Sequence, residues 1–280
     1  MTSNTGVLYV VATPIGNLAD ITERAKTILA SVELIAAEDT RHTGRLLQHL
    51  EIKNKLISLH DHNERQKAVT LVEQLQQGKN IALVSDAGTP LISDPGFFLV
   101  REVRQAGIKV VPIPGACAMV AALSTSGLAT DRFVFEGFLP SKAGARRKQL
   151  ATLANEPRSL VFYESTHRIE DCLIDMRDNF GHHRQATVAR ELTKTFETIY
   201  SDTLENIIIW MQADADQKRG EFVVIVSGNQ QSLTASESEA DRIVDLIAAH
   251  LPLAQATSVA AEITGERKKN LYQRALLRKQ

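Results

Sequence analysis

Short, continuous apolar runs alternate through the first half of the chain with segments whose apolar residues recur at helical spacing. The runs predict strands at 7–12, 32–37, 56–59, 81–85 and 108–113, and the intervening segments predict helices at about 22–30, 41–50, 64–77 and 94–106. A strand covered by helices on both faces needs no polar side, so this alternation predicts βα units around a parallel sheet. The pattern changes at Ser124-Thr125-Ser126-Gly127. Strands return at 132–137, 159–163, 186–190, 195–200 and 221–227, with helices near 143–154, 167–180 and 203–212. The short link between 186–190 and 195–200 makes those two strands antiparallel neighbours, which predicts a mixed second sheet. Residues 228–236 are polar and read as a linker, followed by helices near 238–249, 253–263 and 266–278 with breaks at Pro252 and Gly265. The expected division is an N-terminal α/β domain at 1–125, a second α/β domain at 126–228 and a C-terminal helical domain at 237–280.

The strand ends carry the candidate chemistry. The run at 81–84 stops in Ser85-Asp86-Ala87-Gly88-Thr89-Pro90, where Gly88 tolerates positive φ and Pro90 has no N–H to continue a ladder. Similar turns follow the other strands at Thr13-Pro14-Ile15-Gly16-Asn17, at Pro114-Gly115-Ala116-Cys117-Ala118 and at Glu164-Ser165-Thr166-His167-Arg168. Loops at the carboxyl ends of parallel strands are where open α/β sheets hold ligands, so these four are expected to wall one small-molecule site. None has the spacing of a dinucleotide fingerprint or a P-loop.

Composition narrows the class. The chain has 280 residues, of which 44% are hydrophobic, enough for a large core spread over about two domains. The sequence shows neither a long apolar run nor the charged and apolar regions of a leader at Met1-Thr2-Ser3-Asn4-Thr5, which predicts a cytoplasmic protein with no membrane partner. Cys117 and Cys172 are far apart and fit packed thiols, and His60, His62, His182 and His183 lack the spacing of a metal set. A net charge of −1 gives no general attraction to a polyanion. Two local basic clusters do, one at Lys142, Arg146, Arg147 and Lys148 and one at Arg267, Lys268, Lys269, Arg274, Arg278 and Lys279. Each is open to a second reading as a solvated helix face. Phe133, Phe135 and Phe138 read as core positions rather than a base-stacking platform.

In this order and spacing, Ala12 through Leu18, Ala37-Glu38-Asp39-Thr40-Arg41, Val84 through Gly96, Pro112 through Ala116, Phe162 through Arg168, Arg190 through Lys194 and Gly220-Glu221-Phe222 resemble the tetrapyrrole (corrin/porphyrin) methylase family. The resemblance spans essentially the whole chain. It implies a two-lobed α/β fold, with a parallel sheet, a mixed sheet and a small C-terminal helical extension, that binds S-adenosylmethionine between its lobes. The motifs are most similar to those of family members that 2′-O-methylate a cytidine ribose of 16S ribosomal RNA, which implies that RNA, within the small ribosomal subunit, as substrate and a homodimer as the assembly. One departure stands out: Thr89 occupies the position where tetrapyrrole-modifying members carry an acid. A small-molecule methyltransferase and an inert ribosome-binding module remain the competing functions.

By the same resemblance, the expected cofactor contacts are Pro14, Asp86, Ala87, Gly88, Thr89 and Ile92 from the first two loops, together with Gly115, Ala116, Cys117, Ala118, Phe162 and Tyr163. Deprotonating a ribose hydroxyl calls for a base with a shifted pKa, and the candidate catalytic residues are the pairs Glu164 with Arg168 and Glu191 with Lys194, and the single residues Glu38 and Arg41. Each of these pairs reads equally as a structural ion pair. The expected RNA contacts are Arg146, Arg147, Lys148, Arg267, Lys268, Lys269 and Arg274.

Overall fold

The computed structural model describes residues 5–278, with the side chains of 230–238 excepted. Lys279 and residues 1–4, which entered the expectations above, lie outside the described residues. The first sheet is parallel throughout, ordered β3-β2-β4-β1-β5 from β1 (Val7–Val11), β2 (Leu34–Ala37), β3 (Leu56–Ser58), β4 (Ile81–Val84) and β5 (Lys109–Ile113). Its helices are α1 (Glu23–Ser31), α2 (Thr40–His49), α3 (Glu64–Gln76) and α4 (Phe97–Gln105). β2 and β4 are buried along their whole length, as continuous apolar strands between two helical layers must be. α1 and α2 begin under the side-chain caps of Thr22 and Asp39. α4 lacks a local cap, and the buried Glu64 of α3 supplies one by accepting the Leu99 N–H at 3.0 Å.

The second sheet is mixed, ordered β6-β7-β10-β8-β9 from β6 (Phe133–Phe138), β7 (Ser159–Ser165), β8 (Gln185–Arg190), β9 (Thr198–Thr203) and β10 (Glu221–Val226). β6 and β7 are parallel and the other pairs antiparallel. α6 (Ala143–Leu153), α7 (Ile169–Phe180) and α8 (Leu204–Ala213) cover one face, where Phe162, Val188, Leu204 and Val224 form the largest core cluster. The other face receives α5 (Ala118–Thr125), the helix that follows the first sheet: Ala122 and Leu123 pack on Val161, Ala189, Val223 and Ile225. The strand expected at 195–200 begins three residues later, because 191–197 is a turn in which Glu191 and Thr193 take positive φ.

The C-terminal unit consists of α9 (Gln230–Ala248), α10 (Leu253–Thr264) and α11 (Lys268–Arg278), closed around Val244, Ala260, Leu271 and Ala275. The expected linker is therefore largely helix. Its residues are polar, but beyond Gly228 none of them is a glycine or proline, so nothing stops a helix from starting at Gln230.

Along β7 the side chains alternate, so Tyr163 and Val161 face α5 while Phe162 faces the opposite core. Phe162 is fully buried there, and its side chain is not among those lining the pocket between the lobes. Phe162→Ala should therefore lower stability in urea unfolding by about 3–5 kcal/mol, the range for emptying a packed aromatic site.

Candidate active site

Three loops at the carboxyl edge of the first sheet are joined to one another by hydrogen bonds. Thr13 and Gly88 form an isolated antiparallel bridge, with the Thr13 N–H on the Gly88 carbonyl at 2.8 Å and the Gly88 N–H on the Thr13 carbonyl at 3.0 Å. Thr89 donates its hydroxyl to the Ala116 carbonyl at 3.1 Å, joining the β4 loop to the β5 loop. Gly88 sits at φ +83°, and a Cβ there would meet the Ile15 side chain at 3.3 Å and the Ala116 carbonyl at 3.7 Å. From the second sheet, the Tyr163 hydroxyl accepts the Met119 N–H at 3.1 Å, which anchors the first turn of α5.

These loops and the second sheet enclose a cavity of about 310 Å³, in the range of small-molecule sites. Of the expected cofactor contacts, Asp86, Ala87, Gly88, Thr89, Ile92, Cys117, Ala118 and Tyr163 line it. Pro14, Gly115 and Ala116 are not among the lining residues. Gly115 is packed on β1, where a Cβ would come within 2.9 Å of the Ala12 methyl. The apolar surface comes from Ile15, Ile92, Ala118, Leu192 and Val223, and Phe138 stands 54% exposed with its ring edge-on to Tyr163 at 5.7 Å. Phe138 is thus a pocket residue and not a core one.

The polar end is a group of first-lobe carboxylates. The Asp86 N–H donates to Glu38 Oε2 at 3.3 Å, and Asp86 Oδ1 accepts the Asp39 N–H at 3.0 Å, so the two turns hold each other. Burial, then repulsion from Asp86 and Asp61, pushes the Glu38 carboxyl up. Burial and the charges of Glu38, Asp86 and Asp61 likewise push Asp94 up to about 6, against a hydrogen bond from Ser85. Asp94 and its neighbour Ser93 line the pocket but were not expected to, because the sequence pattern begins the helix at 94. Gly96 at φ +128° delays it to Phe97 and leaves Asp94 in the loop.

Of the expected catalytic residues, Glu191 with Lys194 and Glu164 with Arg168 form ion pairs, whereas Arg41 pairs with Asp39 and not with Glu38. Glu191 Oε1 and Glu221 Oε2 each accept from Lys194 Nζ at 2.8 Å. The net effect lowers the Glu191 carboxyl and raises the Lys194 amine, which suits neither to accept a proton near neutral pH. Glu164 lies at the pocket wall with its side chain closed off from solvent, held by the Ser165 N–H at 2.9 Å and by Arg168 at 3.1 Å, and Arg168 also bonds the Leu139 carbonyl. Arg41 is exposed and bidentate on Asp39, whose carboxyl it holds well below the usual range.

The basic clusters divide similarly. Arg146 is buried and bonded to Asp175 at 2.6 Å, so it is removed from the RNA-facing set, whereas Arg147 and Lys148 are exposed. Arg274 is bidentate on Glu266 and bonded to Asp241, and Arg278 pairs with Asp241 and Asp245, so both hold the helical unit together. Arg267, Lys268 and Lys269 remain exposed at the start of α11.

Residues 7–208 match the family profile described as Tetrapyrrole (Corrin/Porphyrin) Methylases, and 234–279 match one described as RsmI C-terminal HTH domain. The chain is 57% identical to the Ribosomal RNA small subunit methyltransferase I of Pasteurella multocida, over 99% of both chains, and 56% identical to that of Haemophilus influenzae, over 98% of this chain and 97% of the relative. Among solved structures it is similar in fold to the methyltransferase CobJ, at TM-score 0.59 and 21% identity over 80% of this chain and 95% of that one. It is also similar to a Thermus thermophilus uroporphyrin-III C-methyltransferase complexed with S-adenyl homocysteine, at TM-score 0.54 and 17% identity over 79% and 97%.

The Asp94 environment makes a pH-dependent prediction. A carboxyl raised from 3.8 to about 6 imposes no folding penalty below about pH 4, and the penalty grows between about pH 4 and pH 6 and is constant above. Asp94→Asn should therefore stabilise the protein at pH 7.5, by about 1–2 kcal/mol in urea unfolding, and leave it unchanged at pH 4.

Proposed function

Because the chain belongs to the tetrapyrrole (corrin/porphyrin) methylase family, we propose that it is an S-adenosylmethionine-dependent methyltransferase that modifies the ribose 2′-oxygen of a cytidine in 16S ribosomal RNA. The observation that carries this reading is the full-length likeness to relatives bearing the ribosomal RNA methyltransferase name, together with a pocket between two lobes whose walls those sequence motifs build. The site suits the cofactor chemically. Ile15, Ile92, Ala118 and Leu192 offer an apolar slot for an adenine, and Asp86 beside Glu38 offers negative charge to an ammonium. When bound, S-adenosylmethionine supplies an electrophilic methyl group on a sulfonium. The chain's own part is to orient that group, to exclude water with Phe138 and Tyr163, and to present the substrate oxygen in line.

Arg147 and Lys148 on α6, with Arg267, Lys268 and Lys269 on α11, are the exposed cations of the proposed RNA surface. The substrate is taken to be the small ribosomal subunit, and the protein to act in the cytoplasm as a homodimer. The exposed apolar side chains Val69 and Phe97, on the packed neighbours α3 and α4, support self-association. The domain division at 1–125 and 126–228 is supported by the separation of the two sheets, although α5 lies across it.

Incubation with radiolabelled S-adenosylmethionine and naked 16S RNA, assembled small subunits or a porphyrinoid tests the substrate. Label recovered as 2′-O-methylcytidine is expected, and label on the porphyrinoid alone overturns the reading. Replacing Arg267, Lys268 and Lys269 together with alanine should weaken RNA binding and lower its log–log salt slope by about 2, since each phosphate contact contributes roughly 0.7–0.9. Titration calorimetry should show the cofactor affinity unchanged.

A further inference from the structure

We propose that Phe138 is the platform on which the base of the target nucleotide stacks, an inference that rests on the ribose methylation proposed above. The carbon bearing the 2′-oxygen is bonded to the carbon bearing the base, so a base enters the cleft with every ribose presented there. A base drawn out of its RNA stack recovers that stacking on a protein ring. Among the described residues, three aromatic side chains line the pocket. Phe222 is buried and Tyr163 is half-buried, with its hydroxyl held by the Met119 N–H, while Phe138 stands 54% exposed.

The course of β6 puts the ring there. Val134 packs into the core beneath α6, α7 and α8, and Phe135 packs with Val161 and Tyr163 on the α5 face. Unbroken alternation would send Phe138 back to the core face with Val134. An extra residue between Phe135 and Gly137 breaks the alternation: Gly137 pairs with Phe162 and Phe138 with Tyr163. The Phe138 ring therefore crosses to the pocket side, and the buried position passes to Leu139. Gly137 takes φ +62° in this irregular stretch, and a Cβ on it would stand 2.9 Å from the Ser93 hydroxyl oxygen of the first lobe. That first-lobe segment carries Leu91 at φ 74° and Ser93 at 66°, so the surroundings of the ring hold backbone conformations that packing alone does not call for.

The neighbourhood fits a nucleotide. The apolar slot proposed for the adenine is made by Ile15, Ile92, Ala118 and Leu192, none of them on β6, which leaves the Phe138 ring to the substrate. β6 leads through Leu139, Pro140 and Ser141 to Lys142, which is exposed, and then into α6 with its exposed Arg147 and Lys148. Four residues of extended chain span at most about 14 Å, so phosphates flanking a base on Phe138 come within reach of this basic segment. An exposed ring followed at once by cations is the pairing that single-stranded nucleic acid requires, stacking for the base and charge for the backbone.

Small ribosomal subunits and radiolabelled S-adenosylmethionine test the assignment through kcat/KM for the subunit, with the calorimetric affinity for S-adenosylmethionine measured alongside. Phe138→Ala should lose about 5- to 150-fold in kcat/KM, the range for removing one aromatic ring from under a base, while cofactor affinity stays within about threefold. Phe138→Tyr keeps a ring face and should stay within about threefold of the unmodified protein. Phe138→Leu keeps apolar bulk without a ring and should fall with Phe138→Ala. A Phe138→Leu protein of undiminished kcat/KM overturns the assignment, by reducing the side chain to an apolar lid, and so does a Phe138→Tyr protein as impaired as Phe138→Ala. A roughly tenfold loss of cofactor affinity in Phe138→Ala also overturns it, by making the ring a cofactor contact. If the unmodified protein transfers label to RNA and Phe138→Ala does so equally well, the methylation reading stands and the stacking assignment alone fails. If the unmodified protein transfers no label to RNA, the underlying reading fails and the assignment falls with it.

Discussion

The docking of α5 on the second sheet is the contact on which the site depends. Its eight residues begin at the pocket with Ala118, and Ala122 and Leu123 lie on the apolar face of β7, β8 and β10. Because α5 continues directly from the β5 loop, apolar burial against the second sheet also fixes where the first sheet's edge stands. The Tyr163 hydroxyl, accepting the Met119 N–H, sets the axial position of the helix. The cavity is what remains between two sheets once this helix has fixed their separation.

Within that frame, polar groups act in two separate ways. Neutral hydrogen bonds shape the backbone: Thr13 with Gly88, and Thr89 with the Ala116 carbonyl. Ion pairs tie side chains to one another: Lys194 holds Glu191 and Glu221, and Arg146 holds Asp175. Thr89 illustrates the difference. Where an acid would add a fourth first-lobe charge beside Glu38, Asp86 and Asp94, a hydroxyl joins two loops without raising the repulsion that already lifts Asp94.

Much of this was legible in the sequence for definite reasons. Buried parallel strands write themselves as apolar runs, so β2, β4 and the loops that follow them were placed closely, and eight of the expected cofactor contacts line the cavity. Periodicity could not say which face of β7 Phe162 would occupy, since both faces of that strand are apolar. Asp94 was missed because helix propensity reads through Gly96, whose left-handed backbone is visible only in three dimensions. Charge clusters misled in the same way. Arg146 is adjacent in sequence to solvent-facing cations and Arg274 lies five residues beyond one, and their acids, Asp175 and Asp241, arrive from other helices.

Internal use of three arginines has a kinetic meaning for a protein that must search. Arg146, Arg274 and Arg278 are neutralised inside the molecule, which takes them out of the two basic clusters on a chain whose net charge is −1. Residence on an arbitrary polyanion grows with the number of phosphates engaged at once, so such a surface dissociates quickly from wrong sites. Long occupancy then requires a target whose shape also fills the cleft. On the proposed RNA surface, the arginines that keep the helices folded would thereby shorten every unproductive encounter.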